Sequence, residues 1–271
     1  MVRALWSAAS GMISQQTNVD TIANNLANVN TTGYKTEVAQ FKSLLYQNIQ
    51  TRTTSANGDA KPTSAQVGLG VRNSAISSIF KQGSLLASES VSSFAITGDG
   101  FFGVKGADGN TYYTRSGNFN ISTGTTGLTL TTSEGYPVLD STGKAIVFSA
   151  DKVASNIGVT ADGRFTYPDA KGNDQLIGVS IGLFQFMNPV GLEKKDSGLF
   201  AQTAASGAAL NESTAAGVTK SQISQGYLEG SNVQVADEMV NLIVAQRAYE
   251  MNSKAIQTAD QMMQQANQLK S

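Results

Sequence analysis

Both ends of this chain carry apolar or small residues at alternating spacings of three and four, the pattern of a helix that packs along another helix. The first run covers residues 5–29 and the second lies within 235–269. We predict a helix over each range and expect the two helices to pair. The residues predicted to form the assembly interface are Leu5, Met12, Val19, Ile22, Leu26, Val29, Leu242, Tyr249, Ile256 and Met263.

The face of the first helix outside this stripe is polar but almost uncharged, because Arg3 and Asp20 are the only charged residues before position 30. An uncharged polar face can be buried when its hydrogen bonds are satisfied, whereas a charged face rarely can. We therefore expect this helix to be covered on more than one side, which favours packing between copies of the chain. The alternative is a helical hairpin packed on one β domain in a monomer.

The region between the helices, roughly 34–232, has the pattern of short strands joined by tight turns. Turn sequences occur at 98–100, 108–110, 141–144, 162–164 and 171–173. The segments 50–70 and 201–219 are rich in small and polar residues and are typical of extended connectors or exposed hairpins.

These patterns predict an α+β fold with paired, coiled-coil-like N- and C-terminal helices, a central all-β domain and extended connectors. The predicted divisions are an N-terminal helix in 1–33, an extended or β connector in 34–90, a β domain in 91–200, a return connector in 201–230 and a C-terminal helix in 231–271.

Composition excludes the commonest enzyme chemistry, since the chain contains neither cysteine nor histidine. Asp99 is interpreted as a turn residue before a strand, and Asp237 and Glu238 as residues of a helix start rather than an acid–base pair. We expect no catalytic site, no metal and no cofactor. The net charge of −1, the charged fraction of 14% and the absence of a long apolar run predict neither nucleic-acid binding nor membrane insertion.

Three blocks of sequence resemble the axial proteins of the bacterial flagellum, the family that forms its rod and hook. They are Ala23 to Lys35, then Gly98 to Phe102 with Tyr113 to Phe119, and finally Gly226 to Glu250. The blocks occur in the family's order and span nearly the whole chain. The residues that match the family motifs are Asn24, Asn25, Asn28, Gly33, Gly230, Asn232 and Arg247.

The resemblance implies a structural subunit that polymerises into a rigid hollow shaft carrying motor torque to the hook. Length and the segment 46–71 are most like the distal rod members of the family; a proximal rod or hook-type protein is the alternative, and a secreted β-rich enzyme a remote one. The implied partners are further copies of the chain in a helical tube, proximal rod proteins, hook protein, ring proteins and the flagellar export apparatus. The implied location is the basal body within the cell envelope, reached by export without a cleaved signal peptide.

Overall fold

A computed structural model describes residues 2–50, 65–124, 127–149, 151–169, 173–215 and 217–269. The chain divides into two compact units. The helical unit comprises Met1–Ala27, Glu37–Ser78 and Gln234–Ser271, and the β unit comprises Asn28–Thr36 and Ile79–Val233.

Two long helices dominate the helical unit: α1 is Val2–Ala27 and α2 is Val235–Gln268. They contact each other, which confirms the predicted pairing, and they run antiparallel because the end of α1 lies against the start of α2. The predicted range is 5–29. α1 begins three residues before the start of that range and ends two residues before its end. The chain then turns to Gly33, whose φ of 71° is a value that glycine adopts without steric cost.

A two-stranded antiparallel ribbon completes the described part of the helical unit. β1 (Glu37–Ser43) pairs with β4 (Val71–Ser78), and β2 (Tyr46–Gln50) pairs with β3 (Ala65–Gly68). β1 and β4 both contact α1. Most of the segment predicted as a connector at 50–70 lies outside the described residues.

The β unit consists of small antiparallel sheets. Within the described residues these are a six-stranded sheet in the order β16-β17-β8-β7-β15-β18, two three-stranded sheets (β11-β10-β9 and β12-β13-β14) and the pairs β19-β6 and β20-β5. Short 3-10 helices lie at Ala154–Asn156, Pro189–Gly191 and Asp196–Gly198. The strands are β5 Leu85–Ala87, β6 Phe94–Thr97, β7 Phe101–Lys105, β8 Thr111–Thr114, β9 Asn120–Gly124, β10 Gly127–Thr131, β11 Val147–Phe148, β12 Gly158–Val159, β13 Arg164–Pro168, β14 Asp174–Ser180, β15 Leu183–Gln185, β16 Glu193–Lys194, β17 Leu199–Ala201, β18 Leu210–Asn211, β19 Gln222–Gln225 and β20 Tyr227–Glu229.

Several predicted turns are present. The turn 106–110 joins β7 to β8 in an antiparallel hairpin, and Asp162-Gly163 joins β12 to β13. β6, in contrast, pairs with β19 and not with the strand that follows it. The backbone N–H of Gly100 donates to Ser221 Oγ at 3.0 Å, which fixes the turn between β6 and β7. Residues 170–172 lie outside the described part of the chain, so the predicted turn at 171–173 is not described.

The main core of the β unit is built from aromatic and branched side chains of several sheets. Phe102 lies 5.1 Å from Phe119, and Phe148 lies 4.8 Å from Phe165, both edge to face between ring centroids. A second cluster contains Phe101, Tyr113, Phe186, Leu192 and Phe200. These sheets therefore bury large side chains within a single chain.

Candidate assembly surface

All of the predicted interface residues except Val29 lie on α1 or α2, the two helices that contact each other. Ile22 is buried, Tyr249 is 43% exposed, and Val29 is half-buried beyond the end of α1, in the β unit. The half-buried members on the helices are Leu5, Met12, Val19, Leu26, Leu242, Ile256 and Met263. Seven of the ten predicted residues are thus half-buried helical residues, which leaves part of their surface open.

Small residues are buried on both helices. Ala8, Ala245 and Ala259 are buried. A Cβ on Gly11 would lie 2.9 Å from Asn252 Nδ2, closer than real Cβ atoms come. The backbones can approach because these positions carry almost no side chain, but the contact then buries little apolar area.

The uncharged polar face of α1 is partly covered by the chain itself. Ser14 and Thr21 are buried, and α1 contacts β1 and β4 as well as α2. Ser10 Oγ accepts a hydrogen bond from the backbone N–H of Val71 at 3.2 Å. Part of the covering expected on this helix therefore comes from the ribbon rather than from another copy.

Asn25, a predicted motif residue, joins three elements of the helical unit. Its Nδ2 donates to the carbonyl of Glu37 at 2.8 Å and to Glu238 Oε2 at 3.3 Å, and its Oδ1 accepts from the N–H of Glu37 at 2.9 Å. A single buried amide side chain thereby links the end of α1, the start of β1 and the first turn of α2. Asn24, the preceding motif residue, is exposed.

Asn232 plays a comparable role in the β unit. Its Oδ1 accepts from the backbone N–H and the hydroxyl of Thr36 at 2.7 and 2.8 Å. Its Nδ2 donates to the carbonyls of Ile79 and Lys81 at 2.9 and 3.0 Å. The side chain satisfies backbone groups of two chain passages that are far apart in sequence.

The remaining motif residues have separate roles. Asn28 Oδ1 accepts from the Thr31 hydroxyl at 3.0 Å. Gly33 is buried, and a Cβ there would lie 2.6 Å from the backbone N of Ser116. Gly230 is buried, and Arg247 is exposed on α2.

A buried ionic cluster in the β unit includes residues that the sequence did not single out as a site. Glu229 Oε1 accepts from Lys35 Nζ at 2.6 Å and from the N–H of Gly83 at 3.0 Å. Glu229 Oε2 lies 3.3 Å from Arg115 Nη1. The side chains of all three ionic residues are at most 1% exposed. Glu229 thus holds two cations and one backbone amide in the interior.

The charges of this cluster are only partly compensated by pairing. Burial lowers the pKa of Lys35, although its contact with Glu229 acts in the opposite direction. Burial likewise lowers the pKa of Arg115, which Glu229, Asp99 and Glu212 partly offset. Among the described residues, Arg115 Nε has no hydrogen-bond partner. Removing the one carboxylate shared by both cations is therefore expected to be costly.

No residue-level signal predicted this pairing, because Lys35 and Glu229 are 194 residues apart and Arg115 and Glu229 are 114 apart. All three lie within the blocks that carry the family resemblance. Their charge, in a chain with few charged residues, is the one sequence feature that could have drawn attention to them.

Asp237 and Glu238 lie in the first turn of α2, as expected for residues of a helix start. Glu238 is buried and accepts the hydrogen bond from Asn25, whereas its neighbour Asp237 is exposed. The described residues contain no group of three or more residues suited to hold a metal ion. Neither α1 nor α2, over the part that is described, is long and apolar enough to cross a membrane.

Three protein-family models match the chain. Residues 5–35 match the family described as flagella basal body rod protein, residues 95–167 match the D1 domain of the flagellar hook protein FlgE/F/G, and residues 224–269 match the C-terminal part of the flagellar basal body rod FlgEFG protein. Together the matched segments cover both terminal helices and much of the β unit.

Curated relatives match over the full length. The flagellar basal-body rod protein FlgG of Borreliella burgdorferi is 43% identical across 100% of this chain and 99% of its own. The FlgG proteins of Agrobacterium fabrum and Bacillus subtilis are 42% and 37% identical, across 96% and 100% of this chain and 97% and 100% of their own.

Proposed function

Because the chain belongs to the flagellar basal-body rod family, we propose that its copies polymerise through their paired terminal helices into a rigid hollow shaft that carries motor torque to the hook. The chain is a structural protein of the distal rod and not an enzyme. The proposal therefore concerns how the subunits assemble and what the assembly does.

The observation that carries the proposal is the small apolar core of the helical unit. Among the described residues of that unit, the buried apolar side chains are Ala8, Ile22, Ala39, Ala245 and Ala259. Apolar side chains that remain exposed on the same helices include Trp6, Ile13, Val240, Val244 and Met251. Burial of apolar surface contributes about 25 cal/mol per Å², so neighbouring copies offer the stabilisation that one copy does not supply.

A groove of the helix pair that is lined partly by amide side chains supports the proposal of a channel wall. Gln16 and Gln246 line a groove of about 390 Å³ together with Val19, Tyr249 and Glu250. Amide side chains offer hydrogen bonds but no strong charge attraction. We propose that such surfaces either contact neighbouring copies or face a channel, where they would hold a passing chain only weakly.

The same family membership supports a proposal about partners and export route. We propose that the rod built from this chain joins proximal rod proteins at one end and hook protein at the other, and passes through ring proteins in the cell envelope. Subunits would reach the growing end through the flagellar export apparatus without cleavage of a signal peptide.

To test this proposal, the chain is expressed in a flagellated bacterium that lacks its own distal rod protein. We expect the unchanged chain in purified basal bodies, with a distal rod visible by electron microscopy. Ile256→Asp should abolish that rod, because it places a charge in the contact between the helices. Leu176→Asp, on an exposed position of β14, is the matched control and should retain the rod.

Folding of the β unit in the variants is checked on purified protein by the amide hydrogen-exchange signal of β7, β8 and β15, which belong to its six-stranded sheet. Ile256→Asp should leave that signal unchanged. Absence of the unchanged chain from purified basal bodies would refute the proposal, as would normal rods built from Ile256→Asp.

A further inference from the structure

The helix pair exposes apolar side chains on more than one side, including Met239 and Ile243 at 54% and 55%, and the most exposed ones on α1 and α2 lie on two faces. The Trp6 face of α1 consists of Trp6 and Ile13, which are 70% and 68% exposed, with Asp20 beside them. The Val244 face of α2 consists of Val240, Val244 and Met251, which are 59%, 61% and 65% exposed, with Arg247 among them. Exposed aromatic and aliphatic side chains clustered on one helix face mark an interaction surface more often than single ones do.

The two faces point to opposite sides of the pair. At 3.6 residues per turn, the Trp6 face lies about 130° around α1 from the residues that contact α2, in the direction of increasing residue number. The Val244 face lies about 120° around α2 from its contact with α1, in the direction of decreasing residue number. In an antiparallel pair these two rotations have the same sense about a common axis, so the faces end up opposed.

Each of the two faces also carries charged residues. Asp20 is exposed on the Trp6 face and Arg247 is exposed on the Val244 face. Arg247 forms an exposed ion pair with Glu250 at 2.8 Å, and its guanidinium retains further N–H donors. Asp237, seven residues before Val244, is also exposed at the start of the Val244 face, so that face carries an acid near its beginning and a base in its middle. Arg247 is the charged residue on it that can pair with Asp20.

We infer that the Trp6 face of one copy packs on the Val244 face of the next copy. This inference rests on the proposed polymerisation and specifies the surfaces that carry it. A contact between two different faces on opposite sides of a subunit cannot close as a two-fold dimer; it propagates from copy to copy and builds a ring or a helical array. It also covers apolar residues that the pairing of α1 with α2 leaves in solvent.

Cross-linking can test the contact cleanly because the natural chain contains no cysteine. Ile13→Cys is produced together with a second copy that carries Val240→Cys, Val244→Cys or Met251→Cys, and basal bodies are purified and treated with a short thiol-reactive cross-linker. The three positions on α2 allow for an axial offset between copies. We expect a covalent dimer between the two variants at one or more of these positions.

The matched control is Gln257→Cys, which is exposed on α2 but lies about a third of a turn away from the Val244 face. We expect its yield of mixed dimer to be at least tenfold lower. Ile13→Cys alone should give no dimer, because a contact between unlike faces does not bring two copies of residue 13 together.

A second measurement does not depend on cysteine. A photo-cross-linking aromatic amino acid replaces Trp6, and the attached peptides are identified by mass spectrometry. Attachment to residues 240–251 of another copy is expected. Attachment to α1 of another copy, to a different protein, or to nothing in an assembled rod would overturn the inference.

The outcomes separate this inference from the proposed function. A rod that forms but gives dimers of Ile13→Cys alone, equal coupling to Gln257→Cys, or no coupling at all overturns the assigned faces and leaves polymerisation intact. Failure of the unchanged chain to enter a rod would refute both the proposed polymerisation and the assigned faces.

Discussion

The helical unit and the β unit bury their apolar residues to very different degrees. In the β unit, Phe94, Phe101, Phe102, Phe119, Phe148 and Phe165 are each no more than 2% exposed. In the described part of the helical unit, four of the five buried apolar residues are alanines. The β unit has a large aromatic core, whereas the helical unit buries little apolar area.

This difference indicates that the two units are stabilised in different ways. A core of interlocking phenylalanine rings stabilises one chain without help from a neighbour. A helix pair that leaves tryptophan, isoleucine, valine and methionine in solvent gains stability when copies associate. We therefore expect the stability of the β unit to be independent of assembly and that of the helical unit to increase with it.

The largest expected effect is on the β core. Phe102→Ala should lower the free energy of unfolding of the β unit by about 3–5 kcal/mol, because it removes a fully buried ring that packs against Phe119. Urea unfolding followed by near-ultraviolet circular dichroism measures the change. Leu176→Ala, at an exposed position of the same unit, should change it by less than about 1 kcal/mol. Equal effects of the two substitutions would contradict an autonomous core.

A slightly smaller effect is expected at the ionic cluster. Glu229→Gln should destabilise the β unit by about 3 kcal/mol, since Lys35 and Arg115 would remain buried without a carboxylate. The amide oxygen can still accept a hydrogen bond, which keeps the cost at the lower end of the range. The same urea experiment measures it.

Glu250→Gln is the control for this substitution, because it breaks an exposed ion pair with Arg247 and should leave the unfolding curve unchanged. A Glu229→Gln variant as stable as the unchanged chain would show that the buried cluster contributes nothing to the β unit.

The smallest effect is expected in the helical unit. Asn25→Ala leaves the N–H of Glu37 without its side-chain acceptor and should cost about 1–3 kcal/mol locally. Amide hydrogen exchange should rise at the end of α1 and in β1 while exchange in the β unit stays unchanged. Asn241→Ala, at an exposed position of α2, should alter neither. Faster exchange across both units after Asn25→Ala would show that they unfold together.

The sequence predicted the helices well because the signal for an amphipathic helix is local and repeats over many turns. The range 235–269 differs from the observed α2 by one residue. The hairpin of β7 and β8 could also be predicted from the sequence, because its turn residues lie between its two strands. The pairing of β6 with β19 could not be predicted, because the two strands are more than a hundred residues apart and no turn connects them.

The candidate assembly surface likewise contains features that could be predicted from the sequence and features that could not. The stripe that includes Ile22 and Ile256 could be read from spacing alone. The link made by Asn25 to Glu37 and Glu238 could not, since hydrogen-bond partners depend on which distant backbone comes within about 3 Å.

By itself, the sequence determined two terminal helices with a shared apolar pattern, a β-rich middle and a chain without cysteine or histidine. The tertiary structure decided that the ribbon covers part of the polar face of α1, that Glu229 holds both Lys35 and Arg115, and that the remaining apolar faces of the helices are opposed. Periodicity specifies which side of a helix is apolar, but the direction in which that side points depends on how two distant helices are brought together.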